Sequence, residues 1–150
     1  YRGIKDHVPD EPYTIELGKA DIKRIGDDLT IVSYGLGVHW ALEVAETLSK
    51  EGAEIEVLDL CSLIPWDKQA VLSSIRKTNR AVILHEANLT GGIGAEIAAV
   101  IAEEGFTDLD APVMRLASLD TPIPFNKQME QHIYWPKDHL PEKVRRVLEF

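Results

Sequence analysis

Residues 80–106, RAVILHEANLTGGIGAEIAAVIAEEGF, constrain the chain most. An apolar run with Val82, Ile83 and Leu84 at its middle reads as a buried strand over residues 80–85. Residues 86–89 break the run. Thr90-Gly91-Gly92 then opens an amphipathic helix whose stripe is Ile93, Ile97, Val100 and Ile101, with Glu96, Glu103 and Glu104 off the stripe and Gly105 at its end. Strand, loop and helix in this order build a parallel sheet, because parallel neighbours need a crossover connection. In open α/β sheets ligands sit at the carboxyl ends of the strands, so this loop is the first candidate for a small-molecule site. Thr90, Gly91 and Gly92 could offer backbone N–H groups to an anion, and His85 and Glu86 could supply a base and a charge. Threonine also caps helices and glycine permits tight turns, so the stronger reading gives all five residues a role in the fold alone.

The same alternation runs through the chain. Residues 13–17 and 20–25 read as short strands, the second ended by Gly26-Asp27-Asp28. Residues 29–34, LTIVSY, form a β-branched strand. Gly35-Leu36-Gly37 leads into a helix over residues 38–50 with Val38, Ala41, Leu42, Ala45 and Leu48 on its apolar face. A dinucleotide fingerprint needs a third glycine, and Val38, His39 and Trp40 follow instead, so Gly35 and Gly37 are structural and His39 and Trp40 are packing or interface residues. Residues 54–60 form the next strand. Asp67 caps a helix reaching Lys77. A strand over residues 112–118 precedes the proline-stiffened segment 120–124. A short helix over residues 127–134 is interrupted by Pro136, and a last helix spans residues 140–148 with Pro141 and Glu142 in its first turn. This order predicts one α/β domain over residues 21–150, a three-layer α/β/α arrangement on a mostly parallel sheet, with residues 1–20 as a linker or strap.

Several function classes are excluded. The net charge of −9 disfavours nucleic acid and anionic membranes and suits a basic protein partner. The single cysteine, Cys61, allows neither an internal disulfide nor a cysteine zinc site; it reads as a small apolar residue near a strand end. No apolar run has the length of a membrane span. The chain has no nucleophile elbow, phosphate loop or zincin motif, and its histidines never fall at metal-ligand spacing on one helix. The residues alone therefore describe a scaffold or interaction domain, with no catalytic, cofactor-binding or metal-ligating residue assigned. Two rival readings are an anion- or nucleotide-binding module at Gly35–Gly37 or Thr90–Gly92, and a small enzyme using His85 and Glu86.

Four segments, LDLCSLIPWD (58–67), HEANLTGGIGAEI (85–97), DAPVMRLAS (110–118) and DTPIP (120–124), occur in this order and spacing in a known family. The chain resembles the carboxyl-terminal, transketolase-like domain of the β subunit of thiamine-diphosphate-dependent 2-oxoacid dehydrogenases. IPWD, HEANLTGG and DTPIP look most like the branched-chain (2-oxoisovalerate) type, with the pyruvate type as the alternative. Tyr1-Arg2 resembles the end of a preceding pyrimidine-binding domain, and residues 9–17 the inter-domain strap. Cys61 stands where the family commonly has arginine.

The resemblance implies a parent enzyme that decarboxylates 2-oxoacids and acylates lipoyl groups with thiamine diphosphate and Mg2+, neither bound by this domain alone, which would be inactive in isolation. It implies an α subunit or fused α portion, a second β subunit and the lipoyl acyltransferase as partners, in the bacterial cytoplasm or the mitochondrial matrix. By position it carries a docking role onto Asp110 and the Phe150 carboxylate.

Overall fold

A computed structural model describes residue 4, residues 7–133 and residues 136–150. Its elements are β1 (Asp21–Arg24), β2 (Leu29–Ser33), α1 (Leu36–Ser49), β3 (Ile55–Asp59), α2 (Lys68–Thr78), β4 (Ala81–Asn88), α3 (Ile93–Glu104), β5 (Met114–Ser118), α4 (Lys127–Ile133) and α5 (Pro136–Leu148). The strands form one sheet in the order β1-β3-β2-β4-β5. The β2–β3, β2–β4 and β4–β5 pairs are parallel, and only β1 runs antiparallel, along the outer side of β3.

Strand alternation divides the core in two. Leu29, Ile31, Val57, Val82 and Leu84 face α1 and α5, where they meet Val38, Ala41, Leu48, Leu140, Val144 and Val147. Val32, Leu58, Ala81 and Ile83 face the opposite layer and pack on Val71, Ile75, Ile97 and Ile101 from α2 and α3. This is the expected three-layer domain. Asp67 caps α2 by accepting from the Ala70 amide at 3.0 Å, and Asn79 ends that helix in the left-handed region at φ 57°. Trp40 is buried in the first core while His39 is exposed. Among the described residues no helix is long and apolar enough to cross a membrane.

The structure corrects four expectations. Residues 13–17 form no strand, and Tyr13, Ile15 and Leu17 are exposed; the outer edge of β3, where a further strand would pair, is already taken by β1. The last helix starts at Pro136 and carries Pro141 inside it. A first-position proline gives up an N–H that has no helical partner anyway, so Pro136 begins the helix where an interruption was expected. Cys61 lies outside the core: its φ of 56° turns the chain away after β3 and leaves the thiol exposed. α1 starts at Leu36, earlier than its apolar stripe suggests. The expected end of α4 at Tyr134 and the comparison made for Tyr1-Arg2 lie outside the described residues.

Candidate functional site

The switch point of the sheet lies between β2 and β4: β2 leads to β3 on one side, and β3 crosses back to β4 on the other. In open α/β sheets the ligand crevice opens there, beyond the carboxyl ends of the strands. Here backbone and side chains close it. The Ser33 hydroxyl at the end of β2 donates to the Leu84 carbonyl of β4 at 2.9 Å. Gly37, in the first turn of α1, sits so close that a Cβ there would collide with Ser33 Oγ and lie 3.5 Å from the Leu84 carbonyl. Gly35 takes φ 57° to make the turn between them. Both glycines are structural, as expected, and fold the first turn of α1 onto the sheet.

β4 continues past the expected boundary to Asn88. Its register against β5 slips between the Leu84–Leu116 and Asn88–Ser118 pairs, with four steps along β4 against two along β5, so residues 85–87 bulge. The bulge turns His85 inward. The imidazole is fully buried, stacks on Tyr34 at a centroid distance of 6.2 Å, and places Nδ1 3.1 Å from the Ala87 carbonyl. A carbonyl only accepts, so Nδ1 carries the proton. Nε2 has no hydrogen-bond partner among the described residues. It lies at the start of α3, in the space left by Gly92 and Gly94, where a Cβ on Gly94 would come within 2.5 Å. Burial holds the imidazole pKa below its ordinary value; the Ala87 contact works against this and the Arg115 charge adds to it. A neutral, enclosed imidazole is a packing group that touches no exposed surface. Glu86 is half-buried beside the Gly35 turn, with Oε2 3.8 Å from where a Gly35 Cβ would stand. Burial, and secondarily this carboxylate, raise the pKa of Tyr34.

Thr90 makes no cap. Gly92 holds the N-cap position of α3 with no side-chain bond, and Thr90 instead gives its amide and hydroxyl to Asp120 at 2.9 and 2.6 Å. The Thr90 hydroxyl is the main reason the Asp120 pKa is lowered, followed by the Thr90 amide. The Thr90 donors therefore already face a carboxylate of the chain itself. Gly91 has φ 75° with open space around it, and Gly92 is extended and tightly packed against His85 and the Asn88 carbonyl. The structure thus brings His85, Glu86, Thr90, Gly91 and Gly92 to one rim. The sequence reading missed the partners that decide their chemistry: Ser33, Tyr34 and Asp120.

Asp110 and Phe150 lie elsewhere. Asp110 is exposed before β5, its amide bonded to the Asn79 carbonyl at 2.9 Å, and Phe150 is exposed after α5. Arg145, near the end of α5, pairs with Glu51 just after α1 at 2.7 Å, which places the end of α5 beside the amino ends of the strands. Both residues therefore belong to the rim opposite His85. Among the described residues no three His, Cys, Asp or Glu side chains gather as metal ligands. Gly37 and Gly92 are hemmed in by their neighbours and Asp120 already takes the Thr90 donors, so these turns offer no cradle that fits thiamine diphosphate or its metal ion.

Comparison with known proteins agrees with this architecture. The family model described as transketolase, C-terminal domain, matches residues 18–140. The chain is 44% identical, over its whole length, to the pyruvate dehydrogenase E1 component subunit beta of Bacillus subtilis and 42% identical to the 2-oxoisovalerate dehydrogenase subunit beta of the same organism. It spans 46% of the length of each. A solved split-gene transketolase, described as an inactive beta4 tetramer, superposes with a TM-score of 0.79 at 29% identity over 91% of this chain and 44% of its own. A transketolase from Pichia stipitis shares the fold, with a TM-score of 0.61 at 14% identity over 89% of this chain and 18% of its own.

Proposed function

The chain belongs to the transketolase C-terminal domain family, and on that premise we propose that it is the carboxyl-terminal domain of the β subunit of a thiamine-diphosphate-dependent 2-oxoacid dehydrogenase. The observation that carries the reading is the end-to-end similarity to two such β subunits at 44% and 42% identity. The Ser33–Leu84 hydrogen bond and the close approach of Gly37 to the ends of β2 and β4 support an assembly role for this domain. The cofactor and Mg2+ would be held by other parts of the parent, which includes an α subunit or fused α portion and a second β subunit. Residues 1–20 would be the strap from the preceding domain; Gly18 and Ala20 bond through their amides to Ser62 Oγ at 2.8 Å and Asp67 Oδ2 at 3.2 Å. The parent would work in the cytoplasm of a bacterium or the matrix of a mitochondrion.

For the substrate we propose branched-chain 2-oxoacids, on the segments IPWD, HEANLTGG and DTPIP. Pyruvate is the second reading, favoured by the 44% relative. Turnover of the natural assembled enzyme with 3-methyl-2-oxobutanoate and with pyruvate separates them by the larger kcat/KM, and absence of turnover with every 2-oxoacid overturns the enzyme assignment. The chain alone is expected to bind thiamine diphosphate only weakly and to decarboxylate nothing; micromolar binding contradicts this.

The lipoyl acyltransferase would dock at Asp110 and the Phe150 carboxylate. An apolar groove lined by Ala98, Phe106, Ala111 and Val113 adjoins Asp110, and the charge of −9 favours a basic partner and a salt-sensitive on-rate. Asp110→Lys, or residues added after Phe150, should weaken docking of the acyltransferase's peripheral domain to the full enzyme. Unchanged affinity in both variants at low and high salt rules this surface out.

A further inference from the structure

The free edge of β5 and one face of α5 enclose a concave cleft that borders the loop after β4 only at Leu89. Leu89, Leu116 and Ala117 give it an apolar floor, and Arg115, Lys143 and Arg146 bring three positive charges to it, with Glu142 the one carboxylate in its lining. Lys143 and Arg146 are three apart on α5, so they share a helix face. They differ from the seven cations that this acidic chain neutralises with its own carboxylates. Lys23, Arg24, Lys68, Arg76, Lys77, Lys137 and Arg145 each pair with a carboxylate of the chain. Among the described residues the side chains of Lys143 and Arg146 make no hydrogen bond or ion pair. Arg115 gives one N–H to the Leu89 carbonyl at 3.0 Å, which pins the guanidinium and leaves other donors of its fork for a ligand.

We propose that this cleft binds the phosphate of a small hydroxylated phosphomonoester. Three cations around a cleft of about 210 Å3 suit one compact multivalent anion, and an arginine held by its own backbone contact presents the planar fork that phosphate oxygens accept from. The apolar floor accommodates carbon, which free phosphate lacks. Glu142 accepts hydrogen bonds but repels anions, so it favours a ligand that carries hydroxyl groups beyond its phosphate.

The inference is independent of the proposed parent activity, and its test reads binding rather than turnover. Titration calorimetry on the full natural gene product uses glycerol 3-phosphate, with inorganic phosphate as the second probe. Glycerol 3-phosphate should bind saturably and more tightly than phosphate, and more weakly as salt rises. The double variant Lys143→Gln/Arg146→Gln should lose about tenfold or more in affinity, whereas Arg145→Gln, which breaks only the Glu51 pair, should bind as the parent does. Glu142→Gln should tighten inorganic phosphate and erase the preference for the ester. Thermal melting of each variant confirms that it is folded. No saturable binding of either probe below about 10 mM, or affinity unchanged in the double variant, overturns the site; equal affinity for both probes overturns the assignment to an ester.

Discussion

Two polar clusters lie on the same face of the same sheet, under the α2–α3 layer, and they are finished differently. At the amino end, Glu56 is fully buried, yet its carboxylate meets the Thr30 hydroxyl at 3.2 Å and the Lys77 ammonium. Thr30 and Thr78 share a hydrogen bond of 2.7 Å, and Thr78 Oγ1 reaches the carbonyls of Ser74 at 3.1 Å and Arg80 at 3.2 Å. At the carboxyl end His85 is just as buried, with one nitrogen bonded and the other facing glycine. A buried carboxylate that keeps its charge must be paired. Histidine can shed its charge, and a neutral ring tolerates a bare nitrogen at lower cost. The end that carries charge is a network, and the end that carries none is a packing arrangement.

That contrast can be broken at either end. The largest effect is expected for Lys77→Met, which strands the Glu56 charge and should destabilise the domain by about 3 kcal/mol or more in denaturant unfolding; a loss below ~1 kcal/mol would mean that solvent already serves Glu56. Gly92→Ala tests the packed end. The new methyl group meets the Asn88 carbonyl and the His85 ring, and overpacking of this kind costs about 1–3 kcal/mol. Gly91→Ala, one residue away in open space, should cost about 1 kcal/mol, through its φ of 75° alone. If Gly91 proves the more sensitive, the His85 pocket is looser than its contacts indicate.

The smallest effect is a pH dependence. His85 has a folded pKa below its unfolded value of about 6.5, because burial disfavours the charged form. Its stabilising neutrality is fully present above the unfolded pKa. As pH falls below that value the unfolded state takes up the proton first, and stability declines until pH passes the folded pKa. His85→Asn should flatten the midpoint-against-pH curve between about pH 6.5 and the acid limb set by the carboxylates. An identical slope in the variant assigns the window to other groups.

The sheet and its layers were legible because hydrophobic alternation and helix stripes are local: β2, β3, β5 and the Asp67 cap all stand near their expected places. The chemistry of the candidate loop was not local. Thr90 looks like a cap until Asp120, thirty positions on in the chain, takes its donors. His85 looks available until a two-residue slip in register turns it under α3. Apolar spacing does not encode a bulge, and no short-range signal pairs Tyr34 with His85. Arg145 and Arg146 are chain neighbours near the end of α5, yet one faces Glu51 and the other the β5 cleft. The family resemblance had the reverse profile: it carried the architecture and the kinship without saying how the switch point is closed.

The antiparallel edge strand has a mechanical consequence. The chain enters at the carboxyl end of β3, through Gly18 and Ala20, and β1 then runs down that strand with Asp21 opposite Asp59 and Arg24 opposite Val57. Tension drawn through the residues before β1 along the strand axis loads the β1–β3 hydrogen bonds in shear, together, rather than peeling them one at a time. The Arg24 guanidinium, clamped on the Ile55 carbonyl at 2.6 Å and the Glu54 carboxylate at 2.7 Å, anchors the far end of that seam. A pull on the residues before β1 is resisted along this seam, while the opposite edge, β5, carries none of the load.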